Sequence, residues 1–376
     1  MNRRQIGFLV VLTIMAFLAG MWIRSRIAVE PIVPKDELAP VIHVSDLELD
    51  YLAKWEPLTN TSAIDEKDGE LNHLIQWQGE VNTAIPGDYE VLFWVEDASG
   101  NRAEVIQKVR VLDPYVGIVP ENQVFVTPTE KNVQLYHLIM EHYIKDWEKI
   151  GFYYEDLSTG EVIAIRPNVQ YLTASTGKLM VLMPLMDRVS KGTVDLNEMV
   201  PYLPEDFTHG TGAIKYYDLS KPGLAFSLRT LVQFAAVNSD NIAFRMLWRF
   251  LGKEEVYTYY EEVIGHETNH DELETSAADA AKIMKLLYYS EGEHYEVLRH
   301  HLKNSLYPIL IAELLPPGIT AHKVGFYEGN IHDTAIVYGP SGDYLLSIYT
   351  DMLLDGYDTI AALSLKIYDF KNAPSP

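Results

Sequence analysis

"YLTASTGKLMVLMPLMDRVSKG", residues 171–192, sets a serine three residues ahead of a lysine within an apolar run. If a helix starts near Ser175, that spacing puts the side chains of Ser175 and Lys178 on one face, a turn apart. A serine hydroxyl is a poor nucleophile until a base takes its proton. A lysine held among apolar residues loses its charge by desolvation and can serve as that base. The pair alone is weak evidence, because an N-capping serine beside a solvated lysine accounts for it equally well.

Two further elements change its weight. "FAAVNSDNIAFRMLWRFLG", residues 234–252, carries Ser239-Asp240-Asn241 ahead of an apolar run at helical spacing. "ITAHKVGFYEG", residues 319–329, presents Lys323-Val324-Gly325 on a predicted strand. S-x-x-K, S-D-N and K-T-G, in this order, form the signature of class A β-lactamases and penicillin-binding proteins. The chain resembles that family over residues 128–370. The flanking stretches "GEVIAIRPNVQYLTASTGKL", "GTGAIKYYDLSKPGLAFSLRTLVQFAAVNSDN" and "LPPGITAHKVGFYEGNIHDTAIVYGPSGDYLLSIYTD" look like the family's approaches to its motifs and its closing strands.

The resemblance implies roles, residue by residue. Ser175 is the acylated nucleophile and Lys178 its base or proton relay. Ser239 passes a proton to the leaving nitrogen, and Asn241 holds Lys178 and the substrate amide. Lys323 acts beside Ser239 and attracts the substrate carboxylate, with Val324 and Gly325 lining the same subsite. The backbone N–H groups of Ser175 and Phe326 form the oxyanion hole, where charge develops only in the transition state. Asp240 is expected to be a buried turn former.

Two departures from the family pattern stand out. Val324 replaces the usual Thr or Ser hydroxyl, which weakens carboxylate binding without preventing acyl chemistry. The E-x-x-L-N loop, whose glutamate orients the deacylating water in class A enzymes, is missing. Its place is taken by "GHETNHDELE", residues 265–274, where Glu272, Glu267 and Glu274 are the available carboxylates and Glu272 is preferred. His266 to His270 also spells H-E-x-x-H, a zinc-peptidase pattern that needs a continuous helix to set both histidines on one face. Gly265 before it, Asn269 within it and acids after it argue for a polar loop, so no metal and no cofactor are expected.

Around these motifs, strands flank a helical middle. "GFYYEDLSTGEVIAIRP" reads as a hairpin turning at Ser158-Thr159-Gly160, helices run to about residue 304, strands return from 319, and "GYDTIAALSLKIYDF" closes as a helix. Val133, Leu135, Leu138, Ile139 and Tyr143 form an earlier helical stripe. This is an α+β pattern whose sheet is closed by distant segments. With the resemblance it implies a β-lactamase-like domain over 114–376: an antiparallel sheet flanked by helices, plus a helical subdomain. Residues 39–113 read as a small β-sandwich, because Tyr89, Val91, Phe93 and Val95 alternate, "DASGN" turns, and Ala103, Val105, Val109 and Val111 alternate again. Its "PGDYEV…VEDASGNRAE" resembles bacterial immunoglobulin-like surface repeats, which implies a spacer. Residues 27–38, with two prolines, read as a linker.

Arg3 and Arg4 precede an uncharged run, Ile6–Ile23, closed by Arg24 and Arg26. Its length just reaches that of a transmembrane helix. Residues 1–26 are expected to be an uncleaved anchor with the N-terminus inside, the alternative being a signal peptide. That places the chain in a bacterial cell membrane, of Gram-positive type, with its domains extracytoplasmic.

Composition narrows the partners. Acids outnumber bases 53 to 30, which argues against nucleic acid. With no cysteine, disulfides and thiolate sites are excluded. The expected function is a serine hydrolase of class A β-lactamase type, turning over β-lactams through an acyl-enzyme on Ser175; the alternatives are a wall-peptide D,D-peptidase or β-lactam-trapped relative of it, and an inactive surface interaction protein.

Overall fold

In a computed structural model, which describes residues 3–24, 36–143 and 145–373, the N-terminal run forms one helix, α1 (Arg3–Arg24). Of residues 3–9, 20, 23 and 24 only the backbone is described, and the expected linker 27–38 lies outside the described residues up to 35. Among the described residues, no helix is long and apolar enough to cross a membrane.

The chain packs as two compact units. One takes residues up to 48 with 54–81 and 88–110; the other takes 49–53, 82–87 and everything from 111 onward. Besides α1, the first carries the strands β1 (Val41–His43), β2 (Leu47–Leu49), β3 (Ser62–Asp65), β4 (Gly69–Glu70), β5 (Gln76–Gln78), β6 (Gly87–Glu96) and β7 (Arg102–Val111). They form two sheets, ordered β1-β3-β4 and β2-β7-β6-β5. The two-residue period of the hairpin does what it should: Val91, Phe93, Val95, Val109 and Val111 are buried, while the residues between them are more exposed. Its turn is locked by Asp97, whose Oδ1 accepts from the N–H groups of Ser99 and Asn101 at 2.8 Å each. Gly100, at φ +87°, takes the left-handed position that such a turn requires.

In the second unit, β8 (Val124–Val126), α2 (Glu130–Tyr143), β9 (Ile150–Asp156) and β10 (Val162–Ile165) come first. Next are β11 (Tyr171–Leu172), α3 (Leu179–Ser190), β12 (Met199–Pro201), β13 (Ala225–Ser227), α4 (Leu228–Val237), α5 (Asn241–Leu251), α6 (Lys253–Ile264) and β14 (Glu274–Thr275). The chain continues through α7 (Ala277–Tyr289) and α8 (Glu293–Lys303) to β15 (Thr320–Tyr327), β16 (Asn330–Val337), β17 (Tyr344–Thr350) and α9 (Gly356–Asn372). Six strands make an antiparallel sheet ordered β15-β16-β17-β9-β10-β8, and its β17–β9 pairing joins segments 188 to 200 residues apart in the chain, from Tyr344 with Asp156 to Thr350 with Ile150. One core joins this sheet to α2 and α9 through Leu135, Ile139, Ile348, Ile360 and Ile367. A second core fills the helical part around Leu182, Met183, Leu231, Met246 and Leu298 and reaches the sheet at Ala321 and Ile336. Helix α3 is the hub: every residue from Leu179 to Met186 is buried. An apolar face all round is what the sequence following Lys178 dictates. Two short antiparallel pairs, β11 with β14 and β12 with β13, lie within the segment read as purely helical. With two or three residues each, they are too short to show a period.

Candidate active site

Ser175 does not open an α-helix directly. It sits in a 3-10 turn, Ala174–Lys178, that leads into α3. Side chains three residues apart eclipse in such a turn, which brings Lys178 over Ser175. Lys178 Nζ donates to Ser175 Oγ at 2.8 Å and to Asn241 Oδ1 at 2.8 Å. The ammonium also lies 5.7 Å from the centre of the Phe244 ring. Burial pushes the Lys178 amine down to about 8, with the nearby Asp240 carboxylate opposing the shift. Ser175 itself is half-buried, at the mouth of a cleft.

The segment between α4 and α5 supplies the second wall. Ser239 is held at φ +51°, an uncommon conformation for a residue with a Cβ. Asp240, fully buried, then caps α5: its Oδ1 accepts from the Ala243 N–H at 2.8 Å. Its Oδ2 accepts from the N–H groups of Ala213 and Ile214 at 2.6 and 2.8 Å, tying down the loop before them. This is the structural role expected of it. Asn241 is fixed from both ends, since its Nδ2 donates to the His209 carbonyl at 3.0 Å.

Strand β15 supplies the third wall. Lys323, 1% exposed, donates through Nζ to Ser239 Oγ at 2.9 Å and to the Val324 carbonyl at 3.1 Å. Burial, and then the nearby positive charge of Lys178, hold its amine well below the ordinary lysine range. Gly325 runs against the nucleophile: a Cβ built there would stand 3.1 Å from Ser175 N and 3.0 Å from the Thr173 carbonyl. Phe326 borders the cleft with its ring stacked on Tyr357, 5.1 Å between centres. Five side chains from three segments thus form two hydrogen-bonded groups: Ser175–Lys178–Asn241, which lines the cleft, and Ser239–Lys323, which lies buried and is not part of its lining. Val324 stands apart from it. Its side chain is buried in the sheet's own core with Leu310 and Ile311, so only its carbonyl bears on Lys323.

The sequence profile of the β-lactamase enzyme family matches residues 134–370. The chain belongs to that family. A bacterial surface-protein immunoglobulin-like domain matches residues 47–111. No curated protein matches the chain. Among solved structures, a point mutant of PBP-A, as an acyl-enzyme complex with penicillin G, superposes with TM-score 0.57 at 22% identity. That match covers 63% of this chain and 95% of PBP-A. A β-lactamase from Sphaerobacter thermophilus gives TM-score 0.57 at 17% identity, covering 64% of this chain and 98% of its own. One from Burkholderia vietnamiensis gives 0.56 at 20%, covering 64% and 97%. At these identities what is shared is the β-lactamase fold.

Within this family member the cleft holds about 610 Å³. Glu267, Glu272 and Glu274 are not among the residues that line it; from their stretch only Leu273 does. The reason is local. Gly265, left-handed at φ +85°, ends α6, and Leu273 is pinned to the nucleophile's approach by its carbonyl, which accepts from the Thr173 N–H at 2.7 Å. Glu274, next to Leu273, is taken into β14, where it pairs with Leu172, and Glu272 lies in the bend just before. The H-E-x-x-H histidines also part company: His266 Nε2 meets Asp279 at 3.0 Å, whereas His270 Nε2 meets Glu261 at 2.8 Å. No helix spans them, so they share no ligand face.

The cleft's remaining lining escaped the sequence reading. Phe244, Arg245, Trp248 and Arg249 line it from α5, and Glu205, Asp206 and Thr208 from the loop after β12. The α5 set was legible in principle, because positions three, four, seven and eight after Asn241 share its helix face. The loop set was not: Asp206 faces the cleft because Arg249 grips both its oxygens, at 2.9 and 2.8 Å, a contact between residues 43 apart in the chain.

Proposed function

We propose that the chain is a serine acyl-transfer enzyme whose Ser175 is acylated by β-lactams or by the wall peptides they mimic, and which releases the acyl group slowly. The observation that carries this is the direct hydrogen bond from Lys178 to Ser175 at 2.8 Å, made by an amine that burial brings down to about 8. A base so poised takes the hydroxyl proton as Ser175 Oγ attacks the carbonyl carbon. The displaced π pair localises on the carbonyl oxygen, whose negative charge is met by the N–H groups of Ser175 and Phe326. The proton then passes through Ser239, beside Lys323, to the departing nitrogen as the C–N bond breaks, leaving the ester on Ser175. Hydrolysis of that ester needs a water held by a carboxylate, and the three candidate glutamates stand outside the cleft. For that reason the trapped or peptidase-like reading is preferred over rapid β-lactam turnover.

A second reading rests on Glu205, an exposed carboxylate on the cleft wall. If it orients a water, the protein turns over β-lactams. One experiment decides: the full chain is treated with a fluorescent penicillin, and label on Ser175 is followed by intact mass over hours. The expected result is stoichiometric label that persists, absent from Ser175→Ala. Rapid loss of label with product release, abolished in Glu205→Gln, would establish the second reading instead. No label at all would leave a surface interaction protein without acyl chemistry.

Attachment to a bacterial membrane through residues 6–23, with both domains outside the cytoplasm, rests on that stretch of sequence alone. Fractionation of the producing cell, with and without residues 1–26, tests it.

A further inference from the structure

The first unit carries a cluster with no part in acyl chemistry. Asp36, Asp65 and Asp97 bring one carboxylate oxygen each within 4.8 Å of one another. They come from three separate places in the chain: the approach to β1, the end of β3, and the turn between β6 and β7. Asp65 is 4% exposed and Asp97 6%.

Hydrogen bonding accounts for only part of this arrangement. Asp65 Oδ1 accepts from the N–H groups of Lys67 and Asp68 at 2.8 and 2.9 Å. Asp97 uses Oδ1 for its own turn, and its Oδ2 accepts from Asn101 Nδ2 at 2.7 Å. Asp36 Oδ1 accepts from the Leu38 N–H at 3.2 Å. That leaves Asp65 Oδ2 and Asp36 Oδ2, both sealed from solvent and with no hydrogen-bond partner. Buried carboxylate oxygens are normally satisfied, and acceptors cannot satisfy each other. Two such oxygens, facing a third carboxylate, are what a cation site presents before its ion is counted.

We propose that Asp36, Asp65 and Asp97 bind one calcium ion. The donor set is all oxygen, which selects a hard cation over zinc or copper. Ligands at about 2.3–2.6 Å from one ion lie up to about 5 Å from each other, so the spacing of these oxygens suits calcium. Calcium also accepts the irregular geometry of a turn-borne site, where magnesium demands a near-ideal octahedron. Asn101 supports the site, since its Nδ2 also donates to the carbonyls of Asp36 and Leu38, at 3.1 and 3.0 Å, holding the entering chain against the Asp97 turn. The ion would fasten Asp36, the first described residue after the Pro-containing segment, to the β-hairpin, so calcium stiffens the entry to this unit.

The test uses the full chain, stripped with a chelator, and calorimetric titration of calcium up to about 10 mM, a range that spans extracellular calcium modules. Saturable binding of one calcium per chain is expected, with the unfolding temperature of this unit rising by at least about 5 °C. Asp36→Asn and Asp65→Asn should both lose the binding and the shift. Each variant retains an Oδ1 for the backbone N–H groups it now caps, and chelator-treated wild type gives the reference for its fold. The proposal fails if no saturable heat or thermal shift appears. It fails equally if both persist in the two variants, which would mark diffuse binding to an acidic surface. An equal response to magnesium at the same concentration would overturn the assignment to calcium.

Discussion

If Lys178 is the base, the rate of Ser175 acylation must follow its neutral fraction. With the amine at about 8 rather than the ordinary 10.5, about one tenth is neutral at pH 7 and about nine tenths at pH 9. Acylation by a fluorescent penicillin, under conditions limited by acyl-enzyme formation, should therefore climb about tenfold between pH 7 and 9 and level off above that. A solvated lysine would behave differently, with a rise of about a hundredfold over the same interval and no plateau. The cause of the depression is burial, so opening the wall over Lys178 should restore the steeper profile. Phe244→Ala does this, because its ring lies 5.7 Å from Nζ. The midpoint should then move upward by about one pH unit, with rate at neutral pH falling about tenfold. Lys178→Ala should lose about a hundredfold or more in acylation and its pH dependence with it. A flat profile in the wild type, or a Lys178→Ala variant that acylates at the wild-type rate, would refute the assignment of the base.

Gly325→Ala tests the close approach of β15 to the nucleophile: the new Cβ meets backbone atoms of Thr173 and Ser175 at 3.0 and 3.1 Å, so the strand or Ser175 must give by a few tenths of an ångström. Acylation should fall about tenfold or more with little loss of stability, measured by labelling rate and thermal unfolding together. Asp240→Ala orphans three backbone N–H groups, two of them buried, and should destabilise the chain by about 3 kcal/mol or more in urea unfolding. His332, buried against Leu172 and Tyr349, is held neutral down to about 4 by desolvation. The unfolded chain takes up that proton near pH 6.5 and the native one only near 4, so stability is lost as pH falls through this window. The loss reaches about 3 kcal/mol, and His332→Gln should flatten the dependence.

The residues proposed to carry chemistry were legible in part because their spacing encodes local geometry. Ser175 and Lys178 meet within one turn, and Asp240-Asn241 opens a helix; such contacts need no knowledge of the rest of the fold. The hairpin of residues 87–111 was legible for the same reason, its period matching its burial. The contacts that the sequence left dark are those made by topology. Arg249 grips Asp206 from another element altogether, and Lys323 reaches Ser239 across 84 residues, a meeting that only the family resemblance implied. Val324 shows how register decides a role. Beside Lys323 in sequence, it looks like a cleft residue, yet strand alternation sends its side chain into the opposite core.

Residues 265–274 show the same logic acting on function. Three glutamates within eight positions, in the interval where a water-activating carboxylate is wanted, suggest that one should serve. What matters is that Leu273, not a glutamate, faces the cleft, and that its carbonyl is fixed by the Thr173 N–H two residues before Ser175. A one-residue slip of this segment would bring Glu272 or Glu274 to the cleft face, but it would break the pairing of β11 with β14, which matches Leu172 with Glu274 and Tyr171 with Thr275. The register is held further by Tyr260, whose hydroxyl donates to Thr275 Oγ1 at 2.7 Å in a buried contact. If the acyl group is released slowly, as proposed, strand register is the cause, and substituting the glutamates one by one should leave the lifetime of the acyl-enzyme within about twofold of wild type, whereas Leu273→Glu, which delivers a carboxylate to the cleft without moving the register, should shorten it by about tenfold or more.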